Sequence, residues 1–313
     1  MRVSRGLPFA CWDIIRLLFD SALARTQRDF KVTICHYILM ANHIHMVVVA
    51  HDSEQIKDYY TELQKKLTDA IKRLVGASEL SLWEGRPMAA EILDIEEGVE
   101  RISYFYANPA KANLVESIEQ YPGVSTWEYS LAGIGITSSS SRDIPWVRLP
   151  MIKKLPSLEL TETQDRYLTN KLRAKCKITH SLEIKPNSWM FCFGVTKSHE
   201  VQEIRDRIVS RTKEMENEHR EERTRAGKKC LSAARLRRQG ITWDHKPLKK
   251  ERKIFVLSSV KELRIAYIKY YKHITNLARD AYKAAIRGLP AVWPPGTFRP
   301  PMPPLANAIG DFF

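Results

Sequence analysis

The stretch His36-Tyr37-Ile38-Leu39-Met40-Ala41-Asn42-His43-Ile44-His45-Met46-Val47-Val48-Val49 constrains the fold more than any other. Two apolar runs, residues 32–40 and 43–50, meet at a turn short enough to make them antiparallel neighbours in a hairpin. His43 and His45 are two apart, so period-2 alternation sends both imidazoles to one face, while Ile44, Met46 and Val48 point to the other. Two imidazoles side by side at the start of a buried strand are a candidate pair of metal ligands. Spacing alone fits ordinary polar residues at a strand end equally well.

A second block some sixty residues on favours the metal reading. In Val99-Glu100-Arg101-Ile102-Ser103-Tyr104-Phe105-Tyr106-Ala107-Asn108-Pro109, positions Val99, Ile102, Ser103 and Tyr106 follow the three-and-four spacing of a helix packing stripe. Pro109 predicts a helix end just before it. Tyr104 and Asn108, four apart, share a face that lies away from that stripe at a step of about 100° per residue. Tyr106 is therefore the core tyrosine, and Tyr104 the one left free for chemistry.

Tyr-Ile-Leu-Met-Ala-Asn-His-Ile-His (37–45), then Trp83-Glu84-Gly85-Arg86, then Tyr104-Phe105-Tyr106-Ala107-Asn108-Pro109-Ala110-Lys111-Ala112-Asn113-Leu114-Val115 resembles the single-tyrosine HUH transposases, in particular the REP-associated tyrosine transposases. The resemblance covers roughly residues 1–130, and its strength lies in the order and spacing of the blocks. It implies His43 and His45 as metal ligands, Asn108 as a third, side-chain ligand and Tyr104 as the nucleophile. Ala41 stands where the family often has proline, and Asn113 where glycine is common, a change an αL-tolerant residue absorbs.

The chemistry gives a reason for the set. A phenol with a pKa of about 10 attacks a phosphodiester poorly unless charge is drawn from the phosphorus, which a divalent ion on two imidazoles and an amide would do. Imidazoles alone would favour zinc or a later transition metal. The resemblance instead implies magnesium or manganese, and a 5′-phosphotyrosine intermediate on single-stranded or hairpin DNA. Two rivals stand beside this transposase reading: a host-adopted DNA-binding or processing protein without transposition, and a metal-dependent phosphodiesterase. The active unit would be a monomer or a homodimer with exchanged helices.

Charge is distributed unevenly. Residues 1–150 hold 16 Lys+Arg against 19 Asp+Glu, a net −3, and residues 151–313 hold 34 against 17, a net +17. A basic second half suggests a nucleic-acid grip apart from the active site, although solvated helix faces give the same count. Its most basic segment includes Lys228, Lys229, Arg235, Arg237, Arg238, Lys249 and Lys250, with Trp243 among them. In the first half, Arg86 with Trp83 would pair with and stack on a single-stranded base, and Trp83 serves equally well as a buried anchor.

The expected fold is α+β: a central antiparallel sheet with helices packed on one side, ferredoxin-like, followed by a mainly helical basic region. A short strand at 2–5, helices over 11–25 and from Asp52-Ser53 to near Gly76, and a strand at 89–94 complete the first unit. Gly133, Gly135 and Ser138–Ser141 mark a linker, dividing the chain into 1–130, 131–145 and 146–313. Past the linker, helices are expected from Thr161, over 198–226 and over 258–287, ahead of a Pro-rich tail, while Ser188–Gly194 fits a short strand or a packed loop. Five cysteines without CxxC spacing read as reduced thiols, and neither a membrane-length apolar run nor a signal pattern is present. A soluble cytoplasmic protein with no membrane partner is expected.

Overall fold

The computed structural model describes residues 1, 11–77, 79–84, 87–130, 140–149, 161–239, 256–295 and 297. The expected strand at 2–5, linker positions 131–139, Arg86, Lys249 and Lys250 lie outside the described residues. Helix α1 (Asp13–Phe30) leads into strands β1 (Thr33–Leu39) and β2 (Ile44–Val49), then α2 (Ser53–Val75), the two-residue β3 (Glu91–Ile92) and α3 (Ile95–Lys111). Beyond them come α4 (Trp127–Ser130), β4 (Ser140–Pro145), α5 (Glu162–Lys175), β5 (Thr179–Ile184), α6 (Ser188–Phe191), α7 (Ser198–Arg225), α8 (Ala233–Arg237), β6 (Val256–Leu257) and α9 (Lys261–Ile286). No helix among the described residues is long and apolar enough to cross a membrane.

The hairpin forms as its alternation dictates. Met40 N–H donates to the His43 carbonyl at 2.8 Å across Ala41-Asn42. Leu39 then faces Ile44, Ile38 faces His45, and the register slips once between Ile34 and His36. That slip puts Cys35 and His36 on one face together, while Ile34, Tyr37 and Leu39 go to the other.

The architecture is α+β, but the sheet is not purely antiparallel. Its order is β2-β1-β5-β4, with β1 and β5 parallel and the other pairs antiparallel. Helices cover both faces, not one. Helices α1 and α2 pack on the side of Tyr37 and Ile44, and α3, α6 and α7 on the side of Ile38 and Val47. β1 is buried at six successive positions, Ile34 to Leu39, and a strand apolar on both sides needs a layer on each.

The expected boundary at 131–145 does not separate two sheets. Residues 140–145 are strand β4, and β5 from the second half lies directly against β1. An edge strand buries little, and in β4 only Ile144 is buried, so its serines passed for linker composition. The halves are also tied through side chains. Asp165 on α5 accepts from the N–H groups of Asp13 at 2.7 Å and Ile14 at 3.0 Å, capping a helix whose own N-cap, Trp12, offers no oxygen. The Gln27 amide clamps β5, donating to the Glu183 carbonyl and accepting from its N–H.

Three local expectations change as well. The strand expected at 89–94 shrinks to β3, which pairs with β6 outside the central sheet, because Asp94 instead caps α3 by accepting from Glu97 N–H at 2.8 Å. Helix α3 runs through Pro109 to Lys111. Proline there removes only the bond to the Phe105 carbonyl, and buried Tyr106, Ala107 and Ala110 hold the last turn in place. The chain leaves in the left-handed region at Asn113, φ 56°. Lastly, Ser188–Phe191 is a helical turn that buries Trp189 and Met190, neither strand nor loop. Asp52 and Gly76 bound α2 as its sequence signals predict.

Candidate active site

Hairpin and helix converge on three side chains. His43 stands just before β2 and His45 one residue into it, their rings edge to face with centroids 4.6 Å apart. Their Nε2 atoms lie 3.2 Å and 3.0 Å from the Asn108 amide nitrogen on α3. Sequence spacing alone pairs the histidines; the fold adds the asparagine.

Two neighbours prepare the imidazoles. Asn42 Oδ1 is 2.7 Å from His43 Nδ1, and an amide oxygen only accepts, so that nitrogen carries the ring proton and Nε2 is the accepting nitrogen turned to the Asn108 amide. Phe105 stacks on His45 with centroids 4.6 Å apart and 22° between planes. Burial, reinforced by the adjacent His43, holds the pKa of His45 well below the usual imidazole range. It therefore stays neutral at pH 7, the form that donates a lone pair to a metal.

The donor set fits a divalent ion. Ligand atoms about 2.1 Å from an octahedral centre lie about 3.0 Å apart along each edge, whereas tetrahedral sites hold theirs wider. The observed 3.0 Å and 3.2 Å, which are also ordinary hydrogen-bond lengths, lie close to both and single out neither geometry. Turning the Asn108 amide about its last torsion exchanges N for O and puts a hard oxygen where the nitrogen stands. Among the described residues no group of three or more His, Cys, Asp or Glu side chains is placed for a metal, so two imidazoles and one amide are what this site offers. Three such ligands would leave half of an octahedron's positions open.

Tyr104 stands beside the trio in the same chain, its ring 6.1 Å from His45 and edge to face with it. It is half-exposed, and Lys111 brings its ammonium to 4.6 Å from the ring centroid. Tyr106 has the opposite environment, as its place in the stripe predicts. It is 0 % exposed, and its hydroxyl sits 2.9 Å from His36 Nδ1 and 2.8 Å from Thr126 Oγ1. Trp83 is anchored, its indole N–H shared between the Gln64 carbonyl and Thr68 Oγ1 on α2. That favours the anchor over the base-stacking platform.

The basic residues divide into two groups. Lys228 and Lys229 line a hollow beyond the end of α7, whereas Arg235, Arg237 and Arg238 project exposed from and just past α8, which buries Leu236 against the α3 side of the core. Sequence reasoning missed Asn42 and Phe105. Both were within reach, since each adjoins a residue already singled out. A comparison with models of protein families, with curated proteins and with solved structures finds no match to this chain.

Proposed function

We propose that this chain is a metal-dependent endonuclease and strand transferase of transposase type that acts on single-stranded, hairpin-forming DNA. The observation that carries the reading is the meeting of His43, His45, Asn108 and Tyr104 within one chain, in the order and spacing that resemble the single-tyrosine HUH transposases. His43, His45 and Asn108 would hold a magnesium or manganese ion, which supplies a positive charge that polarises a phosphoryl oxygen and aligns the scissile bond.

The remaining chemistry belongs to the chain. Tyr104 Oη attacks the phosphorus, forming a phosphotyrosine bond as the bond to the 3′ oxygen breaks and that oxygen leaves protonated as a 3′-hydroxyl. The phenol gives up one proton, and the leaving oxygen takes up one. Lys111, over the face of the Tyr104 ring, brings a positive charge beside the path of an incoming phosphate. A phosphodiester is exchanged for a phosphodiester, so a second 3′-hydroxyl can attack the adduct and release the tyrosine without ATP.

A library of single strands carrying a hairpin flanked by randomised bases, labelled at the 3′ end, tests this. With manganese the label is expected to migrate with the protein on a denaturing gel and to disappear from it in Tyr104→Phe. Cleavage that leaves both fragments free of protein would make the chain a phosphodiesterase instead. An adduct that survives in Tyr104→Phe would remove the proposed nucleophile.

A further inference from the structure

Helices α3 and α7 lie side by side and run the same way. Arg207 pairs with Glu96, Arg211 reaches Glu100 at 3.0 Å, and Arg223 reaches the Ala110 carbonyl at 3.4 Å, so position along one helix tracks position along the other. Their carboxyl ends therefore emerge together. Next to them the chain after α7 turns back, and Leu231 and Ser232 donate N–H groups to the carbonyls of Asn113 and Leu114 at 2.9 Å and 3.1 Å. Between these pieces lies an open hollow of about 490 Å³ walled by Glu116, Arg220, Arg223, Lys228 and Lys229.

The charges in this hollow do not cancel. Glu116 pairs with Arg223 and with Arg220 at 3.4 Å, and among the described residues no carboxylate pairs with Lys228 or Lys229. Each helix end contributes about half a negative charge. Four cations set against one carboxylate and two helix ends leave roughly +2 in the hollow. Helix-end neutralisation alone would need fewer.

We propose that this hollow is a subsite for the phosphate backbone of the strand that Tyr104 cleaves, which rests on the function proposed above. Seven helical residues separate Tyr104 from the end of α3 at Lys111, about 10 Å at 1.5 Å per residue, and the hollow opens past that end. A stacked strand advances 3.4 Å per nucleotide, so the hollow meets phosphates roughly three to five nucleotides from the scissile bond. The helix that bears the nucleophile also carries, on its exit turn, the backbone partners of the basic segment, so grip and cut are held in register.

The test is fluorescence anisotropy of a labelled single-stranded hairpin oligonucleotide over a range of salt. Lys228 and Lys229 are exposed, so replacing both by alanine leaves the core intact. Lys228→Ala/Lys229→Ala is expected to lower affinity about tenfold at low salt and to reduce the log–log salt slope by about 1.4, at about 0.7 for each phosphate no longer neutralised. Glu116→Gln, which frees two guanidinium groups, is expected to raise affinity several-fold. Methylphosphonates three to five nucleotides from the cleaved bond should weaken wild-type binding and leave the double variant indifferent. An unchanged slope overturns the subsite, and so does inorganic tripolyphosphate binding the wild type more tightly than the oligonucleotide does. A reduced slope in a protein that never forms an adduct would retain the subsite and reject the tyrosine chemistry; an adduct with an unchanged slope would do the reverse.

Discussion

The two faces of α3 put neighbouring tyrosines to different uses. Tyr106 faces β1 and Trp127, where the interior has taken up its hydroxyl between His36 and Thr126. Tyr104, two residues earlier, stands half-exposed against His45 and under Lys111, and among the described residues its hydroxyl has no hydrogen-bond partner. Identical side chains on one helix thus diverge because a helical step of about 100° carries one into the core and the other onto the face that meets His45. Full burial keeps the Tyr106 phenol out of reach of any polymer, whereas the Tyr104 phenol is accessible.

Substitution should break this contrast most sharply at Tyr104. Tyr104→Phe is expected to abolish the covalent adduct while moving stability by less than about 0.5 kcal/mol, as befits a partly exposed position, whereas Tyr106→Phe should retain the adduct. Reversed results on the same gel would exchange the two roles. The ligand face is sharpened next by Asn42→Ala, which frees the His43 ring to turn. Manganese affinity by calorimetric titration should drop about 10–100-fold, and unaltered binding would mean that Asn42 does not orient the imidazole.

On the core face, Tyr106→Phe leaves Thr126 its bonds to the Tyr37 backbone but strands His36 Nδ1. It should cost about 1–3 kcal/mol in urea unfolding, with cost-free removal showing that the network is dispensable. At each pH step a gentler effect is protonic. Burial pushes the pKa of His36 down to about 3 from the ordinary 6.5. The unfolded chain accepts a proton below about 6.5 that the folded chain refuses until about 3, so this contribution is complete above 6.5 and is lost as pH falls between those values. The decline should be on the order of 1 kcal/mol per pH unit, and His36→Gln should flatten it. A wild-type profile as flat as the variant's from pH 7 to 5 would contradict the buried neutral ring.

Most of the site was legible because it rests on short-range periodicity. The two-residue spacing of His43 and His45, and the four-residue spacing of Tyr104 and Asn108, each translate directly into a shared face. What brings those faces together is long-range packing, which only the order of the motif blocks hinted at. The second half was harder to read for a physical reason. β5 does alternate, with Leu182 and Ile184 buried on either side of Glu183, but at six residues it hardly stands out, and β4 buries one side chain. Thr161 announced the start of α5, where it forms a capping box with Gln164, yet nothing local says that Asp165 also caps α1. Helix α9 makes the same point. Its period is as regular as that of α3, yet Leu263, Ile265, Tyr271 and Leu277 are exposed and only Ala281 is buried. Periodicity specifies a stripe, not its partner.

The seat of β5 against β1 has a practical corollary for anyone wishing to trim this protein. A gene cut after residue 130 would deliver the tyrosine and both histidines, but would strip β1 of the neighbour that takes its Ile34 carbonyl through Lys185 N–H. Such a fragment would present a raw, apolar flank to other copies of itself and should collect in inclusion bodies, so the smallest fragment that keeps this edge covered ends no earlier than β5.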